Sequence, residues 1–192
     1  SATVEKLATN AVMAGCEPDY MPFVLAAMEA MLQPEFDLSE VQSTTHSIAP
    51  LVIVNGPLGS ITGIASGFGA LGPGHRANAS IGRALRLAMM NIGGAKPGVS
   101  DMALLGHPGK FSMCLAEAEQ VSPFPPLVEM WGYPVASDVV TVLGTEAPHS
   151  VMFVNDADDP DSPDRLLRIL AEVCTNAGSN NLYLRTGSVA IA

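Results

Sequence analysis

Residues 51 to 56 read LVIVNG, four consecutive apolar side chains before Asn55 and Gly56. Successive side chains of an extended chain point to opposite faces, so this run is apolar on both and fits a strand covered on each side, at the centre of a sheet. A glycine-rich loop follows, and then a helical pattern from about Arg76 to Ile92. Ala77, Ile81, Ala84, Leu85, Ala88 and Ile92 form its apolar stripe. A central strand, a loop and an amphipathic helix place the chain in the α/β class. At 192 residues it suits one compact domain, residues 1–192, a mixed sheet with flanking helices.

Other segments fill in this frame. Residues 3 to 14 predict a short helix stopped by Gly15, and a second helix begins near Pro18 and ends at Pro34. Strands are predicted at 41–46 (VQSTTH), 102–106 (MALLG), 138–143 (DVVTVL) and 150–155 (SVMFVN), while KFSMCLAEAEQ (110–120) fits strand or helix on pattern alone. Near the end, DSPDRLLRILAEVCTNAG predicts a helix capped by Ser162, with Pro163 and Asp164 in its first turn and Gly178 beyond its end. The last residues, NLYLRTGSVAIA, predict a strand that stops on apolar residues, as if cut or paired with another chain. Ser1 in place of methionine suggests a processed or altered start.

The net charge of −10 argues against binding to DNA, RNA or anionic lipid, all of which begins with neutralising phosphates. The longest apolar runs fall far short of the ~20 residues that span a bilayer, and no basic-then-apolar leader opens the chain. Three cysteines in unrelated contexts make no disulfide framework and fit a reducing compartment, with the cytoplasm as the default.

Residues 67 to 94 concentrate seven glycines and three arginines. GFGALG matches G-x-G-x-x-G, but it lies too far from the preceding strand, and no acidic residue follows at the spacing a ribose needs. Arg76, Arg83 and Arg86 lie within about 80° of one another opposite the apolar stripe. They form either a solvated face or a site for an anion or a neighbouring subunit. Arg76, at the helix start behind Gly74 and His75, is best placed to hold a ligand, and Arg83 and Arg86 suit an interface.

The four histidines, 46, 75, 107 and 149, show no metal-ligand spacing, so a metal site would need tertiary assembly. His46 or His107 can serve as acid or base. Cys16 stands between a helix stop and a helix start, where a thiol pKa can fall, although Glu17 opposes that shift. Cys114 and Cys174 fit a core. If 110–120 is extended, Phe111, Met113, Leu115, Glu117 and Glu119 share a face, and Glu117 becomes a proton-transfer candidate at the end of an apolar row. Lys110, in a glycine loop, can meet an anionic substrate. The candidate catalytic set is therefore Cys16, His46, His107 and Glu117, and the candidate binding set is Asn55, Gly74, His75, Arg76 and Lys110. The aspartates of NDADDPDSPD (155–164) lack the EF-hand alternation and read as helix capping.

NAVMAGCEPDY, TTHSIAPLVIVNGP, GHRANASIGRALRL, NIGG, GHPGKF and CLAEAE, in this order over residues 8 to 145, resemble the domain that accompanies the UGSC-motif (seleno)protein family. The U/C-G-S-C motif itself is absent. The resemblance implies that the reactive sulfur or selenium lies on a separate subunit. Two functions follow. One is a subunit of a small-molecule enzyme acting on a polar or anionic substrate, with thiol-linked redox or lyase/hydrolase chemistry. The other is a non-catalytic binding or scaffolding subunit of a hetero-oligomer. Homo- and hetero-oligomers both fit, and no motif designates a cofactor.

Overall fold

The computed structural model describes residues 1–175, which fall into two compact units, residues 1–147 and the residues from 148 onward. In the first unit the apolar run at 51–54 becomes the middle of strand β1 (Ala49–Asn55), buried at every position except the half-covered Pro50. Strand β2 (Cys114–Ala116) pairs with it in parallel, Val52 opposite Cys114. Strand β3 (Val139–Thr145) pairs on the other side, antiparallel, with Ala49 opposite Thr145. The sheet order is β2-β1-β3, a mixed sheet with flanking helices as expected for the α/β class.

The alternation of β1 divides the core in two. Val52 and Val54 point into the larger cluster, built with helices α1 (Val4–Ala14), α2 (Met21–Met31) and α5 (Arg76–Asn91). Ala49, Leu51 and Ile53 point the other way, to Met113, with Leu115, Leu127 and Leu143 at the margin. Helix α1 starts on Thr3, whose hydroxyl accepts from the Lys6 N–H. It stops at Gly15, whose φ of 89° is the left-handed cap that glycine takes without strain. Helix α5 lies close to the chain entering β2. A Cβ built on Gly82 would stand 2.5 Å from Ser112 Oγ and 2.7 Å from the Met113 nitrogen.

Some predicted strands take other forms. Residues 41–46 do not extend: Asp37 accepts from the Glu40 N–H and starts helix α3 (Leu38–Ser43), so a local cap overrides the β-branched composition. Residues 102–106 form no strand. Leu104 and Leu105 are 90% and 95% exposed, with no neighbouring strand among the described residues. The segment 110–120 contains only the short strand β2, preceded by a 3-10 turn (Pro108–Lys110). Two short helices, α4 (Pro57–Ile61) and α6 (Leu127–Met130), complete the first unit.

In the second unit residues 150–155 pair with no strand among the described residues, and helix α7 (Ser162–Cys174) forms as predicted. Ser162 does not cap it. Its hydroxyl instead donates to Asn155 Oδ1 and accepts from the Asp156 N–H, closing the acidic loop. Gly178 and the strand predicted over the last residues lie outside the described part of the chain. No described helix is long and apolar enough to cross a membrane.

Candidate functional site

The carboxyl ends of β1 and β2 bring two predicted residues together. Asn55 ends β1, 1% exposed, and its Nδ2 donates to Glu117 Oε2 at 2.5 Å and to Glu119 Oε1 at 2.8 Å. The ladder explains the meeting. The Glu117 N–H donates to the Val54 carbonyl, which extends the parallel pairing one step past β2, and alternation returns Glu119 to the same face. Two backbone groups complete the cluster: Gly56 N–H donates to Glu119 Oε1 at 2.8 Å, and Leu127 N–H donates to Glu117 Oε2 at 2.9 Å.

Each carboxylate thus uses one oxygen on the protein. Among the described residues, the other oxygen of each accepts nothing, and Asn55 Oδ1 is buried without a partner. Gly56, with φ of 96°, turns the chain where a Cβ would lie 2.5 Å from the Ser137 carbonyl oxygen. The returning chain contributes Asp138, whose Oδ1 accepts from the Leu58 N–H at 2.7 Å. The crevice outside the carboxyl ends of strands is where open α/β sheets bind ligands.

A second polar group lies at the opposite end of β1. Lys110 Nζ donates to the Ile48 carbonyl at 3.1 Å and pairs with Asp101 Oδ1 at 3.1 Å, and Arg86 pairs with Asp101 Oδ2 at 2.5 Å. These are buried contacts: the side chains of Arg86, Lys110 and Asp101 are 10%, 12% and 3% exposed. Arg86 therefore does not face outward with Arg76. Its long side chain reaches under the loop after α5, which covers what the helical pattern marked as a solvent face. Burial works to raise the Asp101 carboxyl, but the hydrogen bond from Lys110, the Ala103 N–H, the charge of Lys110 and the hydrogen bond from Arg86 together outweigh it and hold the pKa below the usual range. His107 Nδ1 accepts from the Gly109 N–H at 3.0 Å. Burial first, and the charge of Lys110 second, lower the His107 pKa.

The third group is at the start of α5. Arg76 Nε donates to the Gly15 carbonyl at 3.1 Å, and its guanidinium pairs with Glu17 at 2.5 Å, in a partly exposed pair. Arg76 is thus occupied within the chain. Cys16 is half-buried against the core, and burial raises its thiol pKa despite the opposing effects of Ser80 and Arg76. The expected lowering by a helix start does not occur, because no hydrogen bond or charge there outweighs the loss of solvent. Cys114 is fully enclosed and pushed up to about 12. Arg83 lies over the Phe111 ring at 3.9 Å, a cation–π contact. His75 Nε2 lies 3.3 Å from the Phe68 carbonyl oxygen, and Gly74 is exposed with open space where a Cβ would be. His46 is exposed, and its N–H donates to Thr44 Oγ1.

The predicted site residues therefore divide among several places. Asn55 joins Glu117, Cys16 lies near Arg76, and His107 lies near Lys110. The seven residues of β1, at about 3.3 Å each, put roughly 20 Å between the Glu117 and Lys110 ends. The start of α5 shares the Glu117 end, because Asn78 holds Ala65 by both its amide groups and the Ala65 carbonyl accepts from the Ala116 N–H.

Five charged residues outside the predicted site set belong to these groups: Glu17, Arg86, Asp101, Glu119 and Asp138. Alternation signalled Glu119, whereas Asp101 and Asp138 sit in irregular segments with no pattern to mark them. Among the described residues no group of three or more His, Cys, Asp or Glu is placed to hold a metal ion. Comparison with known proteins gives no matching family model, no matching curated protein and no matching solved structure.

Proposed function

We propose that the chain is a subunit of a small-molecule enzyme whose site lies at the carboxyl ends of β1 and β2 and takes a polar, hydrogen-donating substrate. The observation that carries this is the single amide of Asn55 holding one oxygen of Glu117 and one of Glu119, which leaves an acceptor oxygen on each. Hydroxyl or amine groups suit such acceptors. A carboxylate or phosphate does not, since no described cation pairs with either glutamate. Glu117 moves the proton, Glu119 orients the substrate and Asn55 fixes both. Cys16, kept as a thiol by burial, has no part in this step. All three cysteines are free, which supports a reducing compartment such as the cytoplasm.

The test is a thermal-shift screen of polyols, amino alcohols and amino sugars against organic acids and phosphates. Hydroxyl- or amine-bearing compounds should stabilise the protein and lose that effect in Glu117→Gln. Hits confined to acids, or hits that bind Glu117→Gln equally well, would overturn it.

A second function, scaffolding within a hetero-oligomer, is favoured by the segment that leaves the site. Val121 is 81% exposed, Phe124 74% and Trp131 57%, more apolar surface than a loop needs in water. The resemblance to the UGSC-motif companion domain implies the same arrangement, with the reactive chain as partner. Native mass spectrometry of protein from its own source distinguishes the two: a heteromer with a cysteine- or selenocysteine-bearing chain supports scaffolding, and the chain alone counts against it.

A further inference from the structure

The arginines of α5 differ in what neutralises them. Arg76 pairs with Glu17 and Arg86 with Asp101, whereas Arg83 has no carboxylate and no hydrogen bond to its side chain among the described residues. Burial, and then the charge of Arg86, lower the Arg83 pKa, so this cation has lost part of its water without gaining a counter-charge. Its guanidinium lies over the Phe111 ring at 3.9 Å. A ring against one face leaves the N–H edge open, the edge that grips a carboxylate through two parallel bonds.

Arg83 and Phe111 line a cleft of about 440 Å³, the size of a small-molecule site, whose other walls include Met13, Ala14 and Ala79. These walls are apolar, and Met13 and Phe111 stay 57% and 61% exposed. Much of the polar lining is already engaged. Ser80 Oγ donates to the Arg76 carbonyl, the Gly15 carbonyl accepts from Arg76 Nε, and the Ala79 carbonyl accepts from Ser112 Oγ. The Met13 and Ala14 carbonyls, at the negative end of α1, accept nothing among the described residues. Together with Glu17 they limit the charge of an occupant: one negative group finds Arg83, and a second would meet a carboxylate and a helix C-terminus.

We propose that this cleft binds a small monocarboxylate, its carboxylate on the open edge of Arg83 and its apolar chain or ring along Met13, Ala79 and Phe111. The site shares no residue with the Asn55–Glu117 cluster and does not rest on the reading of that cluster as a substrate site.

The test is an NMR titration of the full chain, methyl-labelled at methionine, with butyrate and hexanoate. The Met13 resonance should move and saturate while Met28, in the core, stays in place. Hexanoate should bind more tightly, by up to about fourfold for each added CH₂. Hexylamine and inorganic phosphate should leave Met13 unmoved. Arg83→Gln should weaken hexanoate at least about tenfold. Glu117→Gln should leave it unchanged, which separates acids held here from compounds held at Glu117. Ala79→Leu fills the cleft with Arg83 intact and should also weaken binding, a reading that holds even if Arg83→Gln does not fold. A Met13 resonance indifferent to hexanoate, or equal affinity in Arg83→Gln, would overturn the assignment. So would a Met13 shift that follows protein concentration alone, which would give the cleft to a second copy of the chain.

Discussion

Asn55 and Glu117, 62 positions apart in the chain, meet through a 2.5 Å hydrogen bond from Nδ2 to Oε2. The same nitrogen holds Glu119, so one buried amide fixes the spacing of two carboxylates at the end of the central strand.

Replacing Asn55 by Leu keeps the approximate volume and removes this donor. Stability should fall by about 1–3 kcal/mol in urea unfolding, because two partly covered carboxylates lose a bond each. Asn55→Asp should cost more, since it adds a third negative charge to the same space. Unchanged midpoints in both variants would show that the amide does not organise the cluster.

Gly82 and Gly74 make a paired test of where glycine is required. Gly82→Ala would press a methyl group on the Met113 backbone and should destabilise by about 1–3 kcal/mol, even though alanine favours a helix. Gly74→Ala meets open space and should stay within about 0.5 kcal/mol. Equal midpoints for the two variants would contradict the close approach of α5 to β2.

Acid should weaken the fold in two windows. His107 has a folded pKa below its ordinary value of 6.5, so its contribution is complete above pH 6.5 and is lost as pH falls from there through the folded value. Asp101 is held below 3.8, so its contribution is present above that pH and is lost further down, through its own folded value. In urea titrations at successive pH values, His107→Gln should flatten the first decline and leave the second. A first decline of full size in His107→Gln would assign it to another group.

Cys16 should alkylate slowly at pH 7 and speed up only above pH 9, because burial raises its thiol pKa. Cys114 should remain unmodified until the protein unfolds. Rapid labelling of Cys16 at neutral pH, followed by mass spectrometry, would restore it as a nucleophile.

The elements legible in the sequence were those with a long, uniform pattern. The apolar run at 51–54 gave β1, and the stripe from Ala77 to Ile92 gave α5, because burial imposes a period that propensity alone does not. The failures are local. VQSTTH has β-branched content, but the cap at Asp37 decides its form, and MALLG has an apolar run with no partner strand among the described residues. Arg86 shows why polar positions on a helix are hard to place. The pattern says only that it avoids the apolar stripe, and whether solvent or a covering loop lies beyond depends on residues 95–112. The pairing of Asn55 with Glu117 depends on the parallel register of β1 and β2, which one sequence does not state.

The register also bears on how the chain comes to be folded. β1 pairs position 52 with 114 and position 49 with 145, so among the described residues the sheet contains no hairpin that could form by itself. At a synthesis rate of about 5–20 residues per second, β1 waits several seconds for the strand that covers its second edge. During that interval an apolar ribbon is exposed to any other strand nearby. α1 and α2, already made by then, can shelter one face of it, and the nascent chain depends on them before it has a sheet at all.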